Sequence, residues 1–192
     1  KSWKYFKRAH LHGGGIGAST DKDSDLDLTT CSFSTNSADL GGAIYYRGDT
    51  TRGEVVISGG TYTGNTATTA GGGLYLYSAG NFSLDIGSNA RFSTSTAGNG
   101  GAIYLDGLDH WSPNFEDVQL TDNEATVGAA LYLGNVSLML RSSRVESNVA
   151  AGNGAAWVSS EAVLTSRMTN WGTSSADNTD YDVSNEGGAD YG

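Results

Sequence analysis

One cysteine, one proline and three histidines are all that this 192-residue chain contains of those types, and only 17% of its residues are charged. The single thiol, Cys31, excludes an internal disulfide and a cysteine-based metal cluster; two residues before Phe33, it reads as a small residue at an inner corner rather than a reactive group. No run of 18 apolar residues occurs, so no segment is long and apolar enough to span a bilayer as a helix. Long Leu-, Glu-, Lys- and Ala-rich amphipathic stretches are also missing. With 28 glycines and many Ser, Thr and Asn, every stretch is interrupted before a third helical turn, which disfavours helix throughout. Basic residues are scarce too: 11 Lys and Arg against 21 Asp and Glu leave a net charge of −10, which argues against nucleic acid or an anionic membrane as partner. Four of them, Lys1, Lys4, Lys7 and Arg8, crowd one end and read as a solvated edge. No signal peptide is visible, and the chain reads as a piece excised from a longer protein. Abundant Gly, Ser, Thr and Asn with little lysine fits an extracellular or cell-surface location.

What is present is a repeat. Gly41-Gly42-Ala43-Ile44-Tyr45 returns as Gly71-Gly72-Gly73-Leu74-Tyr75, Gly100-Gly101-Ala102-Ile103-Tyr104, Gly128-Ala129-Ala130-Leu131-Tyr132 and Gly154-Ala155-Ala156-Trp157-Val158, in steps of 30, 29, 28 and 26 residues. A weaker copy, Gly13-Gly14-Gly15-Ile16-Gly17, precedes them. A second column keeps the same phase: Phe33/Asn36, Tyr62/Asn65, Phe92/Ser95, Leu120/Asn123 and Val145/Asn148, with Tyr5/Arg8 fitting the leading copy. Ala38, Ala67, Ala97, Ala125 and Ala150 make a third. Units this short cannot bury a core alone and must stack as a solenoid.

Short alternating apolar runs, Leu26/Leu28, Val55/Ile57, Leu84/Ile86 and Leu138/Leu140, identify the units as stranded. The expected fold is all-β, a right-handed parallel β-helix of about six coils, each of 26–30 residues and three short strands, with glycine and asparagine at the positive-φ corners. It forms a single domain over 1–192, with 1–12 a cap or frayed coil, 13–170 the repeat coils and 171–192 a carboxy-terminal cap or tail. Alternation puts Ile44, Leu74, Ile103, Leu131 and Trp157 inside, followed by Tyr46, Leu76, Leu105 and Leu133. Tyr45, Tyr75, Tyr104 and Tyr132 then face outward beside Ala43, Gly73, Ala102 and Ala130, and the tyrosine column ends at Val158. Asn36, Asn65, Asn123 and Asn148, with Ser95 as a shorter substitute, form a structural amide ladder; Arg8 is too large for that slot.

Several features bear on function. The outward tyrosines form an aromatic stripe on which sugar rings would stack, the plainer reading being a self-stacking ladder. The longest insertion, between Leu105 and Phe115, holds Asp109, His110 and the only proline, Pro113. Asp109 with His110 reads as solvated before it reads as an acid/base pair, whereas Trp111 is a candidate ligand platform or a lid on the coil below. Asp21, Asp23, Asp25 and Asp27 alternate as Ca²⁺ ligands do, but Leu26 stands where the EF-hand glycine would, and a solvated acidic edge is preferred; no other cofactor is expected. Asp177, Asn178, Asp180 and Asp182 form a second acidic cluster. A lyase or hydrolase reading needs convergent carboxylates, for which Asp106, Asp109, Glu116 and Asp117 are the candidates; Arg91 and Arg141 stand alone.

Phe33-Ser34-Thr35-Asn36 followed by Gly41-Gly42-Ala43-Ile44 resembles the paired FxxN and GGAI repeats of polymorphic outer-membrane proteins and, more broadly, the surface β-helix proteins of the pectin-lyase-like superfamily. The resemblance covers about residues 5–170 and implies a non-catalytic passenger or adhesin region that binds a glycan or a surface protein. It carries over no catalytic residue. Polysaccharide cleavage and a purely structural display or fibre role are the alternatives, with end-to-end or trimeric assembly open because bare strand edges invite pairing.

Overall fold

The computed structural model describes residues 13–20, 24–48, 53–80, 82–108, 111–173, 177–179 and 182–185. The segment 1–12, read above as a cap, lies outside them. Among the described residues the chain is a parallel β-solenoid without helices, its strands gathered into four sheets. The first sheet stacks Ile16–Thr20, Ile44–Gly48, Leu74–Ser78, Ile103–Gly107, Leu131–Leu133, Ala156–Val158 and Val183–Asn185. The second stacks Ser24–Thr29, Gly53–Ser58, Phe82–Gly87, Asn114–Glu116, Ser137–Arg141 and Val163–Arg167. The third is Ser32–Ser34, Thr61–Thr63, Ala90–Ser93, Val118–Thr121 and Arg144–Glu146; the fourth is Ser37–Leu40, Thr66–Ala70, Thr96–Asn99, Glu124–Val127 and Val149–Asn153. Each coil thus has four strands, not three. The asparagine corner splits what the sequence reads as one strand around Phe33 into Ser32–Ser34 and Ser37–Leu40.

Equivalent residues lie directly over one another. Ile44 pairs with Leu74, Leu74 with Ile103 and Ile103 with Leu131, and all four are fully buried. The inner faces of the second and third sheets complete the core with Val55, Ile57, Leu84, Ile86, Leu138 and Leu140, and with Tyr62, Phe92, Leu120 and Val145. Phe33, Tyr62 and Phe92 stack face to face at centroid distances of 5.4 and 4.4 Å.

Two expectations about the first sheet fail. Ala43, Ala102 and Ala130 are buried in the core rather than beside the outward tyrosines, and a Cβ on Gly73 would meet the Phe92 ring at 2.7 Å. The bend at each glycine corner breaks strand alternation, so two successive side chains point inward. Trp157 does not join the inner column either. Leu131 pairs with Ala156 and Tyr132 with Trp157, which places Trp157 at the head of the tyrosine column. The last repeat is one residue shorter than the Gly-Ala-Ala match suggests.

Three corners per coil use left-handed backbone. One is glycine throughout (Gly41, Gly71, Gly100, Gly128, Gly154). The other two are mostly not: Thr35, Thr94, Asp122 and Ser147 take positive φ just before the ladder position, and Thr30, Ser88, Asn89, Asp117, Ser142 and Met168 take it between the second and third sheets. The ladder asparagines themselves do not, contrary to the expectation that asparagine supplies these bends. At the second glycine of each pair the constraint is space. A Cβ on Gly72 would lie 2.3 Å from the Gly101 carbonyl oxygen and 2.8 Å from that of Thr96, both backbone atoms of the next coil. Ala129 occupies the equivalent slot in a small cluster with Ala125 and Ala150.

The amide ladder runs in two stretches, interrupted between Asn65 and the shorter Ser95, and extends one rung further. Asn36 donates from its backbone N–H and from Nδ2 to Asn65 Oδ1 at 3.0 and 2.9 Å. The Ser95 N–H donates to Asn123 Oδ1 at 3.0 Å, and Asn123 repeats the double contact onto Asn148. Asn148 makes it again onto Asn178 Oδ1, at 2.9 Å from both donors. Asn178 therefore belongs to the ladder as well as touching Asp177 and Asp182. With it, Val145 N–H donates to the Asn170 carbonyl and Thr179 N–H to that of Asn148, so Asn170 and Thr179 satisfy strand groups that the last coil would leave open.

Among the described residues two core side chains carry an unsatisfied polar atom, Trp111 at Nε1 and Tyr62 at its hydroxyl, and burial raises the Tyr62 pKa. Because Phe33 and Phe92 occupy the same column, Tyr62→Phe is expected to raise stability by about 1 kcal/mol, measured as the midpoint of denaturant unfolding. A loss of stability would mean that the hydroxyl has a partner after all.

Candidate binding faces

The outward tyrosines form one continuous stack. Centroid distances are 5.3 Å for Tyr45–Tyr75, 4.9 Å for Tyr75–Tyr104, 4.4 Å for Tyr104–Tyr132 and 4.4 Å for Tyr132–Trp157, with the ring planes within 22° of parallel. One-coil spacing matches the thickness of stacked rings, which is why a phase-locked aromatic column self-stacks. Each interior ring shares both faces with neighbours, and Tyr45 is only 8% exposed. A sugar would meet ring edges and hydroxyls, not the open faces that the sequence suggests.

Around this ladder the polar groups are tied to structure. Tyr104 Oη donates to Asp106 Oδ2 at 3.2 Å, while Asp106 Oδ1 accepts the N–H groups of Gly107 and Asn135 at 2.7 and 3.1 Å. Asp106 thus brackets two coils. Burial, then the Asp106 carboxylate, pushes the Tyr104 phenol far above its ordinary range; burial and the neighbouring Tyr45 push Tyr75 up to about 12. The Arg47 guanidinium lies 5.5 Å over the Tyr77 ring.

Trp111 is no exposed platform. It is 4% exposed, bridges to Val136 and meets Phe82 edge-on at 5.7 Å, while Phe82 in turn contacts Tyr46 at 5.2 Å. The insertion folds back onto the second sheet, with Ser137 N–H donating to the Trp111 carbonyl and Met139 N–H to that of Pro113, and this drives the indole inward. Asp109 and His110 lie outside the described residues. Asp106 and Asp117 fall beyond opposite ends of the Asn114–Glu116 strand, and Glu116 pairs in register with Arg141, so these carboxylates are not gathered in one cluster.

Asp25 and Asp27 project from the outer face of the second sheet, as the inward Leu26 and Leu28 require. Asp27 accepts the Thr29 hydroxyl at 3.2 Å, and Asp21 and Asp23 lie outside the described residues. Among the described residues no three His, Cys, Asp or Glu side chains are grouped as metal ligands. Asp180 is likewise outside them, and Asp182 accepts Asn178 Nδ2 at 3.0 Å.

A further feature carries no local motif in the sequence. Arg91, Gln119 and Arg144 stand in register on the outer face of the third sheet, next to the column Ser93, Thr121, Glu146. Arg91, Gln119, Thr121, Arg144 and Glu146, with Asp122 and Ser147, line a shallow polar groove. Arg144 donates from Nε and Nη2 to Glu146 Oε2 at 2.5 Å, and Asn170 Nδ2 donates to the other carboxylate oxygen. The signal lay in a fixed offset: Arg91, Gln119 and Arg144 each precede the inward Phe92, Leu120 or Val145 by one residue.

Raised phenol pKa values carry a stability consequence. An acid whose folded pKa exceeds its unfolded value of about 10 contributes stability that is intact below pH 10 and lost as pH rises toward the folded value. Alkaline titration should therefore show tyrosinate absorbance delayed toward pH 12 for Tyr75 and accompanied by loss of the β circular-dichroism signal. Ionisation of every tyrosine near pH 10 in a chain that stays folded would contradict the buried ladder.

Compared with known proteins, residues 30–47 match the Chlamydia polymorphic membrane protein repeat. The matched stretch runs from the positive-φ Thr30 through Phe33, Asn36 and the glycine corner to Arg47, most of one coil. No curated protein matches the chain. Nor does any solved structure, so the wider pectin-lyase-like likeness has no support beyond the sequence. Over those residues, whose columns recur along the rod, the chain is similar to the polymorphic membrane protein repeat.

Proposed function

We propose that this chain is a non-catalytic recognition segment of a surface-exposed, outer-membrane-type protein, holding a glycan or a partner surface along the side of the rod. The observation that carries the reading is the match of residues 30–47 to a membrane-protein repeat whose columns recur through the whole described solenoid. The internal chemistry supports it. Asparagines close the corners, tyrosines stack on one another and Asp106 brackets two coils, so these groups are engaged in holding the rod. Strand faces and inter-sheet loops are left to vary. A stiff scaffold with variable outer columns suits binding, because the rod orders its surface before any partner arrives.

The test is saturable binding of the labelled folded chain to intact cells and to a glycan array, with heat-unfolded chain as control. Binding that disappears on unfolding, without product release from uronate polymers, is the expected outcome. Absence of binding by the folded chain, or release of reducing ends or unsaturated products, would overturn it.

A further inference from the structure

We infer that the groove on the outer face of the third sheet binds an acidic saccharide, with Arg91 receiving its carboxylate; this rests on the recognition role proposed above. The argument begins with what the groove leaves unsatisfied. Thr121 is 5% exposed and its Oγ1 has no hydrogen-bond partner, although a hydroxyl offers one donor and two acceptor sites. Such an orphan normally costs about 1–3 kcal/mol, which a ligand oxygen at that point would relieve. Arg91 is exposed and has no ion-pair partner among the described residues, in a chain whose net charge of −10 makes cations scarce.

Arg144 differs from Arg91. Its fork is fixed on Glu146, which is itself 3% exposed and also held by Asn170. Two coils separate Arg91 from Arg144, so their Cα atoms stand about 10 Å apart with Gln119 between them. Asp122 and Ser147, both at positive φ, close one side. Every lining residue is polar, so the groove offers nothing to a lipid tail or an apolar peptide side chain.

The balance of charge selects among polar ligands. One guanidinium is free, whereas Asp122 and Glu146 repel a dense polyanion such as a sulfated chain. A uronic acid combines one carboxylate with several hydroxyls. Its carboxylate fits the planar fork of Arg91, and its hydroxyls fit Thr121 Oγ1 and the Asp122 carboxylate.

The experiment is calorimetric titration of the whole chain with galacturonate-, glucuronate- and mannuronate-containing oligosaccharides, and with neutral sugars of the same linkages. At least one acidic sugar should bind about tenfold more tightly than its neutral counterpart. Arg91→Gln should weaken that binding by about tenfold or more with its melting curve unchanged, and Thr121→Val should weaken it by several-fold while its melting midpoint rises, because the unpartnered hydroxyl is gone. Equal binding of acidic and neutral sugars, no binding of any uronate, or full binding by Arg91→Gln would overturn the assignment. Cell-surface binding that survives Arg91→Gln would remove this groove while leaving the recognition role intact; a folded chain that binds neither cells nor sugars would remove both.

Discussion

Everything in this molecule depends on parallel pairing between one coil and the next in fixed register. Each strand has its hydrogen-bonding partner 25 to 30 residues away, so an individual coil has neither a closed ladder nor a buried face. Once the register is set, like side chains must lie over like. Apolar columns become the core, aromatic columns become stacks and amide columns become ladders. The same geometry forbids a Cβ at Gly72, where the next coil's carbonyl oxygens already fill the space.

That rule also explains how the tyrosine column and the polar groove differ. Stacking consumes the faces of Tyr75, Tyr104 and Tyr132, and their hydroxyl edges lie beside structural groups such as Asp106. Columns on the third sheet's outer face change identity from coil to coil: Thr61, Arg91, Gln119, Arg144. A repeated residue stabilises the rod, whereas a varied one on the same scaffold is free to recognise something. The groove therefore arises where repetition is relaxed.

Much of the fold is legible from periodicity alone. The inner positions of Ile44, Leu74, Ile103 and Leu131, the outward tyrosines and the asparagine ladder follow from spacing, because a column leaves its trace in every repeat. The errors have one source: a local departure from repetition. Periodicity points Trp157 inward because Gly154-Ala155-Ala156 accepts two alignments one residue apart, and small residues give no packing signal to choose between them. Strict alternation points Ala43 outward because the bend that interrupts it is invisible in composition. Asn178 is hidden among aspartates, and Trp111 sits in an insertion whose polar neighbours leave both an exposed platform and a packed lid open, of which the structure shows the packed position. The groove was missed for a related reason. Its Arg91, Gln119 and Arg144 column is spread over positions 28 and 25 apart and changes identity at Gln119, so only the offset from the inward column marks it.

The slip at the last coil offers the sharpest test of the register. Nuclear Overhauser contacts in the folded chain should connect the Trp157 indole to the Tyr132 ring, which the structure stacks at 4.4 Å. Contacts from that indole to the interior methyl groups of Leu131 and Leu133, with none to Tyr132, would place Trp157 in the core and contradict the in-register stacking on which the account rests.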